Sequence, residues 1–177
     1  NIGQYHWLSP AKWMYFHLLD GDWGSNALSW QWVAGTNSNK KYIANQENIN
    51  KYCYTKDKGT FLDKSYEELT KYEFVPKELQ NQISQEYTYE LPKNELLKID
   101  DKLSTFIYNS YNLDPNWGNE QNSNRILLFE PSHFKKYPIS NKVINFIIEL
   151  SKEIEGIIIA VMEFDELMKI LKEESNI

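Results

Sequence analysis

Asp22, Asn26 and Trp30 follow one another at steps of four within the stretch from Leu18 to Gly35. If residues 22–33 form one helix, that spacing lays the three side chains roughly along one face. A carboxylate accepts hydrogen bonds, a side-chain amide donates or accepts, and an indole in van der Waals reach of a ring passes an electron. An ordinary helical core has no use for that trio, so the pattern points to a helix face turned toward a planar ligand. A plainer reading stays open beside it. Asp20 precedes the helix and Asp22 opens it, where carboxylates cap orphan N–H groups and meet the positive end of the helix dipole.

The aromatic residues sharpen the same region. They make up 15% of the chain, and five of its six tryptophans lie between Trp7 and Trp32. Rings so concentrated suit a site that stacks a planar molecule, although filling a helical core uses them as well.

Ser9 and Pro10 read as the N-cap and first residue of a helix from Ala11 to about Leu19, broken at Gly21. A second helix runs from Asp22 to Val33. Residues 34–39 form a turn, a third helix begins near Asn45 and reaches Tyr52, and Ser65 to Lys71 make a short fourth. Between Tyr72 and Asn124 the text turns polar, with Pro76, Pro92 and Pro115, and reads as a connection carrying only short elements, one of them a strand within Leu103 to Tyr111. From Arg125 the periodicity changes. Ile126 to Phe129 is a buried-strand run, Ser140 to Glu155 a helix, Ile157 to Met162 a second strand and Asp165 to Glu173 a helix. Two apolar strands joined by such a crossover pair in parallel with right-handed connection. The expected fold is a mainly α-helical region over 1–75, an irregular connection over 76–124 and a small α/β segment of βαβα order over 125–177.

Leu19-Asp20-Gly21-Asp22, Asn26 and Trp30-Gln31-Trp32, followed by Ala34-Gly35-Thr36, resemble the flavin-contacting stretch of the cryptochrome/DNA photolyase family. The resemblance covers residues 5 to about 75. It implies the C-terminal FAD-binding domain of a bacterial photolyase-related protein, with FAD as cofactor. It also implies that Asp20 and Asp22 hold the flavin and its ribityl region. Asn26 would sit beside flavin N5, and Trp30 would relay electrons during photoreduction, with Trp32 a further candidate. An amide at the N5 position resembles photolyases more than plant or animal cryptochromes. The implied activity is light-driven repair of pyrimidine lesions in DNA by electron transfer from reduced flavin, the work of a carbon–carbon lyase. Two alternatives stand beside it: a cryptochrome-like blue-light receptor without repair activity, and a flavin-free helical interaction module in which the aspartates are caps and the tryptophans core.

Residues 38–53, from Ser38 to Cys53, are similar to the corresponding stretch of the iron–sulfur, prokaryotic branch of the same superfamily. A cubane cluster needs about four thiolates, and this sequence has one cysteine, so the chain supplies no metal cluster. Cys53 is expected to be a small buried or half-buried residue, and a chain without a possible internal disulfide suits a reducing cytoplasm. A complete family member also has an upstream phosphate-cradling segment, a helix carrying arginine and glutamate, and an antenna domain. The expectation is therefore a fragment, inactive alone.

Net charge is −6, which opposes the electrostatic attraction behind non-specific DNA affinity. Lys40, Lys41, Lys51, Lys56 and Lys58 outweigh Glu47 and Asp57 locally, either as a solvated face or as phosphate contacts to damaged DNA. No apolar run reaches the roughly 18 residues of a membrane span and no secretory signal opens the sequence, which points to a cytoplasmic protein with no membrane partner. His6, His17 and His133 are too scattered for a metal set. Glu130 and His133, in what reads as a loop at a strand end, are a candidate pair because α/β sheets bind ligands beyond their strand carboxyl ends. There is no G-x-G-x-x-G after a strand, no P-loop and no nucleophile elbow.

Overall fold

A computed structural model describes residues 1–38, 40–80, 86–118 and 122–174. In chain order the elements are α1 (Leu8–His17), α2 (Trp23–Ala34), α3 (Gln46–Cys53), α4 (Tyr66–Thr70), a single 3-10 turn (Lys77–Leu79), β1 (Thr105–Tyr108), β2 (Asn124–Phe129), α5 (Pro131–Lys136), α6 (Asn141–Ser151), β3 (Ile157–Val161) and α7 (Phe164–Glu174). A mainly helical part is thus followed by a small α/β part. The chain divides into two compact units, Asn1–Met14 with Trp23–Glu86, and Tyr15–Asp22 with Tyr87–Ile177.

In the first unit side-chain acceptors start α1, α3 and α4, and a glycine ends α2. α1 starts at Leu8 rather than at Ala11, because His6 Nδ1 accepts from the Leu8 N–H at 3.3 Å and the Ser9 N–H already donates to the His6 carbonyl at 3.1 Å. Pro10 consequently lies in the first turn, where a missing N–H costs nothing. α2 stops at Gly35, whose φ of +77° and a Cβ position 2.8 Å from the Lys40 carbonyl oxygen admit only glycine. The Gly35 and Thr36 N–H groups then donate to the carbonyls of Trp32 and Gln31, and the Tyr42 N–H to that of Val33.

Asn45 caps α3, its side chain accepting from the Asn48 N–H at 2.9 Å. Beside it the buried Gln46 donates to Asn50 at 2.9 Å and accepts from Thr60 at 2.6 Å. Ser65 and Glu68 form a reciprocal capping box on α4, whose Leu69 is buried. The Ser65 hydroxyl, then its N–H, hold the Glu68 carboxyl below its ordinary value, so this cap is present at neutral pH and lost as pH falls through the lowered value. Cys53, expected to be at least half-buried, is exposed: it ends α3, next to a Tyr54 that stands in the left-handed region at φ 56° and points to solvent.

The second unit is organised by a three-stranded parallel sheet in the order β1-β2-β3. β2 is central and reads Asn-Arg-Ile-Leu-Leu-Phe, buried on both faces as parallel strands are. One face, Ile126 and Leu128, joins Ala160, Met162 and Leu167 in a core onto which Ile170 and Leu171 of α7 pack. The alternation of a strand sends Leu127 and Phe129 to the other face, where Phe129 meets Phe134 of α5 with ring centroids 5.6 Å apart. Ser140 caps α6, which buries Val143, Ile144 and Ile147.

β1 enters the sheet through Asn124, which is buried. Its side chain donates to the Asp100 carbonyl at 2.9 Å and the Thr105 hydroxyl at 3.1 Å and accepts from the Asp100 N–H at 2.9 Å. The outer edge of β3 is covered by residues 94–95: Asn94 Oδ1 accepts from Val161, and the Glu95 backbone N–H and carboxylate engage both backbone groups of Ile159. Glu130 to His133 do not form a loop. Pro131, with its φ preset, starts α5 directly after β2, and His133 lies within that helix.

Candidate functional site

α2 is the part of the first unit that carries the sequence signature, and it is unusual for what it does not bury. Its sequence, WGSNALSWQWVA, is largely apolar, yet no residue of it is buried, with Leu28 62% and Trp32 54% exposed. A helix of that composition ordinarily turns an apolar stripe into a core. Asn26 and Trp30 stand one turn apart on it, both half-buried, and Asp22 is the residue immediately before its first turn, exposed.

Asn26 Nδ2 is shut off from solvent and has no hydrogen-bond partner among the described residues. Leaving a buried donor unmatched costs about 1–3 kcal/mol, so an acceptor that met this amide, ordered water or ligand, would be stabilising. Trp32 leans on Tyr42, ring centroids 4.5 Å apart, and Lys40 Nζ lies 5.1 Å from the centre of the Tyr42 ring.

Of the depressions in the same unit, two take in residues singled out above. One of about 630 Å³ is lined by Lys40, Lys41, Tyr42, Ile43, Tyr66 and Thr70. Another of about 430 Å³ takes its walls from the start of the chain, including His6 and Trp7, together with Lys41, Leu69 and Tyr72. Neither is lined by Asn26 or Trp30. The first gathers the two lysines singled out in the sequence, both exposed, with no carboxylate lining it.

Asp20 lies in the second unit, exposed at a cavity of about 230 Å³ whose other walls include Tyr15, Ser110, Tyr111 and Val143. Tyr15 is buried and meets the Tyr111 hydroxyl at 3.2 Å. Burial, and after it this hydrogen bond, push the Tyr15 phenol far above its ordinary range, with Asp22 adding to the shift. The phenol is therefore a neutral donor and acceptor at any physiological pH.

Sequence reasoning passed over Trp7, Tyr15 and Tyr111. Trp7 belonged to a visible aromatic cluster and carried a signal. The two tyrosines, 96 positions apart, are brought together only by the folded unit. Among the described residues no group of three His, Cys, Asp or Glu is placed to hold a metal ion, and no helix is long and apolar enough to cross a membrane. Glu130 and His133 do share a small cavity, about 70 Å³, at the carboxyl end of β2.

Compared with known proteins, the chain matches the family model described as the FAD binding domain of DNA photolyase, over residues 4–102. No curated protein and no solved structure matches it.

Proposed function

We propose, because the chain belongs to the family of the FAD-binding domain of DNA photolyase, that it holds FAD through Asp20, Asp22, Asn26 and Trp30 and serves the light-driven reversal of pyrimidine lesions in DNA. The observation that carries the reading is the Asn26 amide: a buried donor unmatched among the described residues, on a helix none of whose residues is fully buried. Such a surface fits a flavin, whose ring is flat, apolar over its faces and rich in acceptors at its edge. It argues against a flavin-free module, in which α2 would be core.

When bound, FAD supplies the light-driven transfer of one electron to the lesion and its return. The chain's own groups bind and orient. Asn26 Nδ2 donates to an acceptor at the ring edge, while the carboxylates of Asp20 and Asp22 accept from N–H and hydroxyl groups. The indole of Trp30 offers a relay for electrons that reduce the cofactor. A lesion reaches such a site only after extrusion from the duplex. The proposed setting is a reducing cytoplasm, in which the exposed thiol of Cys53 stays free.

Trp30→Phe is expected to slow photoreduction of the bound flavin while leaving repair by chemically reduced flavin largely intact. Absorbance-followed photoreduction and a lesion-repair assay, run side by side, check this, and equal loss of both contradicts the role. The same repair assay separates a photolyase from a blue-light receptor, which restores no lesion.

For DNA, Lys40 and Lys41 are the proposed phosphate contacts, since both are exposed and the groove they line holds no acid. Reversing both to glutamate is expected to flatten the slope of log affinity against log salt by about 2, roughly 0.9 for each lost contact. A slope that stays unchanged in a fluorescence-anisotropy titration removes these lysines from the interface.

A further inference from the structure

The three-stranded sheet of the second unit has one edge covered and one open. At β3 the Ile159 N–H donates to the Glu95 carboxylate at 2.7 Å, the Ile159 carbonyl accepts from the Glu95 N–H at 3.0 Å, and the Val161 N–H donates to Asn94 Oδ1 at 2.9 Å. The outward backbone groups of that strand are thus met within the chain. β1 is different. The Asn124 N–H donates to the Ser104 carbonyl at 2.9 Å, which fixes the phase of the ladder: Phe106 and Tyr108 turn their backbone groups to β2, while Thr105 and Ile107 turn theirs outward. The Ile107 carbonyl accepts from Asn112 Nδ2 at 3.4 Å. The N–H groups of Thr105 and Ile107 and the Thr105 carbonyl have no partner among the described residues.

Native sheets shield such an edge with lysine, proline, a bulge or a covering segment. β1, Thr-Phe-Ile-Tyr, carries no charge and no proline. Beside it the ring of Phe106 meets Trp117 edge-on, centroids 5.0 Å apart, and Trp117 is 42% exposed. Unmet backbone donors along a neutral strand, with an exposed indole at its side, fit another strand rather than a small molecule.

We propose that a second copy of this chain pairs its own β1 with this edge, antiparallel about a two-fold axis at Phe106. The outward groups set the register: Thr105 of each copy lies opposite Ile107 of the other, the arrangement in which opposed residues exchange both hydrogen bonds, and by symmetry the exchange occurs twice. Phe106 then stands against its own equivalent on the face that carries Trp117, as a cross-strand aromatic pair. In this register the flanking Asp100, Asp101 and Lys102 come opposite neutral residues at 110–112, so no like charges meet. The covered edge of β3 decides the assembly. Copies can join β1 only to β1, and such a pair closes after two chains instead of growing into a fibre. The contact is short, which puts its Kd in the range of about 1–100 μM. It requires no flavin.

Sedimentation velocity of the full chain across concentrations spanning that Kd is expected to show the mass doubling, with exchange of the Thr105 and Ile107 amide hydrogens slowing in step. Thr105→Pro removes an outward N–H and no backbone bond to β2, and is expected to weaken the dimer by about tenfold or more. Phe106→Lys and Phe106→Glu are each expected to be monomeric and, when mixed, to form a heterodimer, which mere loss of packing against Trp117 would not produce. If these variants do not fold, the concentration dependence of amide exchange at Thr105 and Ile107 in the parent carries the test. A monomer at every concentration overturns the second copy as the occupant of this edge. A dimer indifferent to Thr105→Pro, with exchange at these amides unchanged, places the contact elsewhere and overturns the proposal too. Masses that keep growing beyond the dimer overturn the closed pairing.

Discussion

Replacing Asn26 by leucine is expected to change stability and ligand affinity in opposite directions. Without flavin the variant should be at least as stable as the parent. The substitution removes a donor that is buried and unmatched, a group that costs about 1–3 kcal/mol where it stands, and replaces it with a better helix former of similar size. With FAD the same change deletes the donor proposed to meet the ring edge, and affinity should fall about tenfold or more. Urea midpoints of the flavin-free protein and fluorescence titration with FAD read the two effects separately. A destabilised flavin-free variant with unchanged FAD affinity would make the amide a structural group and dissolve the site. Few interior polar positions give this signature, because a buried amide is normally satisfied within its own fold.

Leu127→Ala is expected to damage the α/β unit severely, lowering unfolding free energy by about 2–5 kcal/mol through lost burial and the cavity left behind. Leu127 is fully buried in the central strand and faces Tyr108 of β1 and Ile159 of β3 in register. Leu28→Ala, on the exposed face of α2, should by contrast stay within about 0.5 kcal/mol of the parent in the flavin-free protein. Chemical denaturation of the two variants measures the contrast. If Leu28→Ala costs as much as Leu127→Ala, α2 has a packed face in the free chain, and its fitness for a ligand is lost.

Much of this architecture was legible in advance, and for local reasons. Asn45, Ser65 and Ser140 announced α3, α4 and α6 because a capping side chain acts within three residues of itself. The runs Ile126 to Phe129 and Ile157 to Met162, separated by a crossover that carries the capped α6, dictated a parallel pair, since a crossover of that length returns a strand in the same direction. α2 came within one residue at each end. The start of α1 was misjudged because Ser9-Pro10 is a good opening pair, while His6, three residues earlier, supplies an acceptor that no capping preference credits. Glu130 to His133 read as a loop because five or six residues are too few for a helical period to show. Cys53 was misplaced because burial of a small side chain depends on what covers it.

For the site, the residue types and their spacing on α2 came from the sequence alone, together with the family likeness, because a helix converts a step of four into a common face whatever surrounds it. Helix and strand order followed from the same short-range physics. Tertiary structure alone decided that the Asn26 donor is sealed from solvent without a partner among the described residues, that α2 leaves Leu28 and Trp32 exposed, and that Tyr15 and Tyr111 meet beside Asp20. Each of these is a statement about neighbours distant in the chain, and solvent exclusion, like hydrogen-bond matching, exists only once those neighbours have been brought into place.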